Sequence, residues 1–137
     1  MRAVVALVLG IVVATALLVA VEGFSALVHP FPADFHGTHE EICAHVERYP
    51  AWVLAVVVPL WAGVAFVSTL VAKVVGRSPW PARIVAALLV IALGMNLWML
   101  PYPAWFKVVG FLAICAAVTP CARPFVSPVG AVKSGRE

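Results

Sequence analysis

Four apolar runs, residues 4–28, 51–75, 84–100 and 105–118, make up most of the chain and leave it almost no choice of environment. A helix needs about 20 apolar residues to cross the hydrocarbon core of a bilayer. The first two runs exceed that length, and the fourth reaches the lower limit by using Trp105 and Thr119 as interfacial ends. With 137 residues, 64% of them hydrophobic and 11% charged, and a mean hydropathy of +1.08, the chain lacks the polar surface to cover a soluble globule. The expected fold is an all-α membrane protein: a four-helix transmembrane bundle over residues 1–119, then a flexible cytoplasmic tail at 120–137. The first run continues past Ala14-Thr15-Ala16 to Val21, which makes it a retained anchor and not a cleaved signal peptide.

Charge sets the orientation. Arg2, Lys73, Arg77, Arg83, Arg123, Lys133 and Arg136 flank one side of the spans, and Arg48 and Lys107 the other. By the positive-inside rule both termini are cytoplasmic. Asp34, Glu40, Glu41 and Glu47 then make the first loop, residues 29–50, acidic and exoplasmic. The net charge of +3 reflects this bias; the cations never form a patch with aromatic residues, so no nucleic-acid partner is expected.

The junctions carry explicit signals. Gly76 follows a cationic last turn and reads as a helix-ending glycine, while Pro81 suits the first turn of the next helix. Pro101-Tyr102-Pro103 makes the opposite turn, with Trp52, Trp98, Tyr102 and Trp105 as an interfacial belt. No internal repeat is apparent along the spans. Cys43 lies about a bilayer thickness from Cys115 and Cys121, which excludes a bridge to either.

All four histidines fall between His29 and Tyr49. Pro30 and Pro32 force extended backbone at the start of this loop. Thr38 and Glu41 then form a T-x-x-E capping box, from which Ile42, Val46 and Tyr49 recur at helical spacing up to Pro50. The result is a short amphipathic helix with His45 at the border of its apolar face, packed as a lid together with Phe31 and Phe35. Inside the spans, Thr15, Leu18, Glu22, Ser25 and His29 share one face of the first helix, and a carboxylate there is too costly to point at lipid. At 1.5 Å per residue Glu22 is about 10 Å, and Asn96 about 7 Å, from the exoplasmic ends of their helices. Glu22, Ser25, His29 and Asn96 are thus the candidate polar pocket, opening outward, with Pro59 and Trp61 somewhat deeper.

Two classes of function stay open. In one, the polar residues act as interhelical glue in a small non-enzymatic protein that packs against membrane partners or itself. In the other, Glu22 and His29, with His36, His39 or His45, hold a divalent transition metal on the periplasmic face, as a binding protein or a metal-dependent enzyme. No H-E-x-x-H pattern supports the second. A Ser25-based hydrolase fails because one straight helix cannot bring base and oxyanion hole together at Ser25, and a transporter lacks paired broken helices.

The strings Glu22-Gly23-Phe24-Ser25-Ala26 leading to His29-Pro30, and Leu100-Pro101-Tyr102-Pro103-Ala104-Trp105-Phe106-Lys107, resemble those of small four-span bacterial inner-membrane proteins and are distantly similar to DoxX-like bundles. The resemblance implies a compact bundle in a bacterial inner membrane and brings no catalytic motif.

Overall fold

A computed structural model of the protein, which describes residues 1–123, contains five helices: α1 (Arg2–Val28), α2 (His39–Glu47), α3 (Ala51–Gly76), α4 (Pro79–Met99) and α5 (Ala104–Ala122). All except α2 are long and apolar enough to cross a membrane. The fold is therefore the all-α four-helix bundle that the apolar runs dictate, with one short helix in the first loop. Residues 124–137, most of the expected cytoplasmic tail, lie outside the described residues.

Helix α3 is the centre of the bundle. It packs against α1, α4 and α5, and α4 also meets α1 and α5, whereas α1 and α5 do not touch. Every spanning helix buries one stripe at three- and four-residue steps, as in Val57, Trp61, Val64, Ser68 and Ala72 of α3, or Phe106, Gly110, Ile114 and Val118 of α5. The stripe of α1 is made of Ala6, Gly10, Ala14, Val21 and Ser25. Small side chains bring the backbones close: a Cβ added at Gly10 would stand 2.9 Å from Val85 Cγ2 and 3.1 Å from Ala72 Cβ.

Three boundaries differ from the sequence expectation. Helix α4 begins at Pro79, five residues before residue 84, because Ser78 caps it, its Oγ accepting from Trp80 N–H at 3.4 Å, and proline is tolerated in a first helical turn. Helix α5 runs through Pro120 to Ala122, so the tail does not start at residue 120. Two cations hold that last turn: Lys73 Nζ donates to the Pro120 carbonyl at 3.2 Å, and Arg83 Nε to the Ala122 carbonyl at 3.1 Å. Gly76, finally, is not the left-handed residue that ends α3. Arg77 takes that conformation, at φ 49°, while Gly76 is helical, and a Cβ there would meet Pro81 Cγ at 2.9 Å and Ala6 Cβ at 3.3 Å. The glycine serves close packing of α1, α3 and α4 at this turn.

These contacts define two ends. The hairpin end holds the start of α1, the Arg77 turn and the end of α5. The lid end holds His29, α2, Tyr49 and the Leu100–Pro103 turn.

Candidate functional site

The lid is built as its capping signal requires. Glu41 N–H donates to Thr38 Oγ1 at 3.3 Å, and Thr38 N–H donates to Glu41 Oε2 at 3.0 Å, so both halves of the box are formed. His36 N–H adds a third donor to Glu41 Oε2 at 3.0 Å, which ties the preceding segment, turned by Gly37 at φ +80°, to the helix. Those donors, Thr38 first and then His36, hold the Glu41 carboxyl below the usual carboxylate range.

No spanning-helix backbone comes within packing distance of α2. Rings attach it instead. His45, at the border of the apolar face, is nonetheless buried, stacked on His29 at 4.3 Å and on Phe31 at 4.3 Å. Tyr49 stands beside both histidines, with centroids 4.6 Å from His29 and 5.3 Å from His45. His29 Nε2 also donates to the His45 carbonyl at 3.3 Å. Burial, then the charges of His29 and Arg48, push the His45 imidazole below its ordinary pKa.

Beneath the lid, Tyr49 lies near buried Ser25, and Glu22 acts electrostatically on both Tyr49 and Tyr102. Burial first, and Glu22 second, raise both phenols above their ordinary pKa. Tyr102 packs edge-on to Trp61 at 6.4 Å and against Phe106 at 4.8 Å. Trp61 Nε1 is a buried donor, and Asn96 Oδ1 a buried acceptor, without a protein partner. This end therefore gathers a carboxylate, two neutral phenols, a buried serine and, with His45 Nε2, three unmet hydrogen-bonding atoms. Such a set orients a polar group by hydrogen bonds; it presents no activated nucleophile.

The expected stripe of α1 is off by about one residue. Thr15 is exposed and bonds back to the Ile11 carbonyl, and Glu22 lies on the exposed flank of the buried line through Val21 and Ser25. The shift has a simple cause: each residue turns the helix by 100°, and the small residues Ala6, Gly10 and Ala14 decide which line faces α3 and α4. Pro59 is also placed elsewhere. With Gly63 and Val64 of α3, and Leu17, Val21 and Phe24 of α1, it lines an apolar groove of about 400 Å3.

The four histidines, which in sequence offer one metal site, divide among three places. His29 and His45 stack, exposed His36 sits on Glu41 with Nδ1 at 3.4 Å from Oε1, and His39 Nε2 lies 3.6 Å from Cys43 Sγ. Among the described residues no three His, Cys, Asp or Glu side chains converge.

Sequence reasoning missed the two tyrosines as site residues, though a signal for them exists. Tyr-Pro-Ala-Trp occurs twice, at 49–52 and 102–105, and each copy opens a spanning helix behind an N-cap proline with ψ 137° or 145°. The chain thus has a short internal repeat after all, and both of its corners flank Glu22. No family model, curated protein or solved structure matches the chain.

Proposed function

We propose that this chain is a small non-enzymatic accessory subunit of a bacterial inner membrane, both termini cytoplasmic, that packs against a membrane partner or a second copy along α1 and offers its lid end as the interaction surface. Glu22 carries this reading. It lies six residues, about 9 Å, from the end of an otherwise apolar helix. Its residue is exposed, and among the described residues no ion pair to it forms. A charged group facing lipid costs about 2.5–3.5 kcal/mol at a helix centre and less toward the end where Glu22 lies, so a partner helix that brings a cation or a hydrogen-bond donor to Glu22 gains that interaction at little further desolvation. The first helix is also the least covered, with 22% of its apolar window buried against 50% for α3.

The test is photocrosslinking in native membranes with a probe at Gly23 or Leu27, beside Glu22, and at Val108 on the far helix α5. Protein adducts from α1 positions that disappear in Glu22→Leu support the subunit. Adducts to lipid alone from every position overturn it.

A further inference from the structure

Four rings form one column at the lid end. Phe35 stacks on Phe31 at 4.2 Å, Phe31 on His45 at 4.3 Å, and His45 on His29 at 4.3 Å, with interplanar angles of 26–27°. The column fastens three pieces of chain to one another: the end of α1, the extended segment after it, and α2. His45 is one of its two inner rings, 6% exposed, with Nε2 buried and unpartnered.

A neutral imidazole suits such a slot, whereas an imidazolium carries a second N–H with nothing to receive it. The surroundings offer no compensating charge. From α1 it meets His29, from the end of α2 Arg48, and from the start of α3 Tyr49; no carboxylate is among the groups that act on it. Of the nearby acids, Glu41 is engaged by Thr38 and His36, and Glu22 acts on the tyrosines. The segment 30–37, which also carries Asp34 and His36, presents the Phe31 ring to His45. The attraction of a cation for that ring is weaker than the loss of its water shell beside a second histidine.

We propose that His45 is a proton-controlled latch: neutral, it holds α2 closed against His29, Phe31 and Tyr49, and protonated, it leaves the column and releases the lid. The lowered pKa of the closed form agrees in sign. The open form binds a proton at the ordinary value of 6.5, the closed form only below it, so closure is complete above that value and is lost as pH falls toward the depressed one. One such group makes opening about tenfold more favourable per pH unit within this window. Glu41, held below the carboxylate range, stays ionised throughout, so its cap does not account for the same transition. Opening reshapes the lid end beside the α1 surface assigned above to a partner, but the latch stands whether or not a partner binds there.

Hydrogen exchange of the whole protein in lipid nanodiscs tests it, with rates corrected for the intrinsic pH dependence of amide exchange. Between about pH 7.5 and pH 5, protection of Ile42 to Val46 should fall by up to tenfold per unit once below the ordinary histidine pKa, while α3 and α4 stay protected. The His45 ring, followed by carbon-13 NMR, should titrate in the same interval. His45→Phe keeps a ring in the column without a proton, and its lid should remain closed across the range. His29→Phe keeps the stack and removes a neighbouring charge that depresses His45, so the closed lid tolerates the proton better and the opening midpoint should move down in pH; this variant and the ring titration of the parent carry the test if His45→Phe does not fold. Constant lid protection in the parent, an equal loss in His45→Phe, or a His45 ring that titrates without any change in the lid overturns the proposal.

Discussion

Gly10 and His45 stand at opposite ends of the bundle and show two ways of closing it. At the hairpin end the backbones meet: Gly10 and Gly76 leave room for Val85, Ala72, Pro81 and Ala6, and Lys73 and Arg83 cap the carbonyls of α5. At the lid end the contacts are rings, and His45 Nε2, Trp61 Nε1 and Asn96 Oδ1 remain buried without partners, against Ser68 Oγ alone near Gly10. The hairpin end has no slack, because its small residues have no alternative rotamer and any added atom must displace a neighbour. The lid end keeps polar atoms that hydrogen-bond only when something arrives or moves. Close packing belongs to the first, and the function proposed above is assigned to the second.

The largest effect that tests this contrast is a leucine at Gly10. Gly10→Leu should cost on the order of 3 kcal/mol in reversible unfolding in detergent, since its Cβ alone is already too close to Val85. Gly23→Leu, where nothing lies within 4 Å, should leave stability almost unchanged. Equal losses at the two positions would mean that the hairpin end is no tighter than the rest of α1.

A smaller effect is expected at the lid. Thr38→Ala removes the oxygen that receives Glu41 N–H and should cost about 1 kcal/mol, read as faster amide exchange in α2 with the spanning helices unchanged. The same cap has a pH sign. Because Glu41 is held below the usual range, its contribution is present above the ordinary carboxylate pKa and is lost as pH falls through the lowered value. Exchange that spreads from α2 into α3 in the Thr38 variant would show that the lid is part of the bundle's own cooperative unit.

Arg83→Ala should fray only the last turn of α5, by about 0.3–1 kcal/mol, because its guanidinium is exposed and bonds a terminal carbonyl. Amide exchange near Val118 reads this, and unchanged protection there would assign the cap to Lys73 alone. The smallest expected change is spectroscopic. The chain has two tyrosines, both raised by burial and then by Glu22, so Glu22→Gln should lower their alkaline titration toward the ordinary phenol value. An unaltered titration would place Glu22 away from both Tyr-Pro corners and weaken the case for a single polar site.

Apolar length determined the four spanning helices, because a long apolar run in lipid has no other way to bond its backbone. Local chemistry was equally decisive at Thr38 and Glu41, where two side chains and two N–H groups within one turn complete the cap without help from elsewhere. Position around a helix was not legible in the same way. A line of polar residues through Thr15 and Glu22 looked like the inward face of α1, yet the inward face was chosen by where Gly10 and Ala14 let neighbouring backbones approach, a property of three helices at once. Gly76 reads as a turn signal from its neighbours in sequence and acts as a packing residue through its neighbours in space. The four histidines have metal-ligand chemistry, but their ring directions follow from how an extended segment and a short helix fold back on α1. Residue type and spacing fix what can be buried and which bonds can close within a turn; which side chains meet across the bundle depends on the rotation and approach of whole helices, and that was settled by tertiary packing.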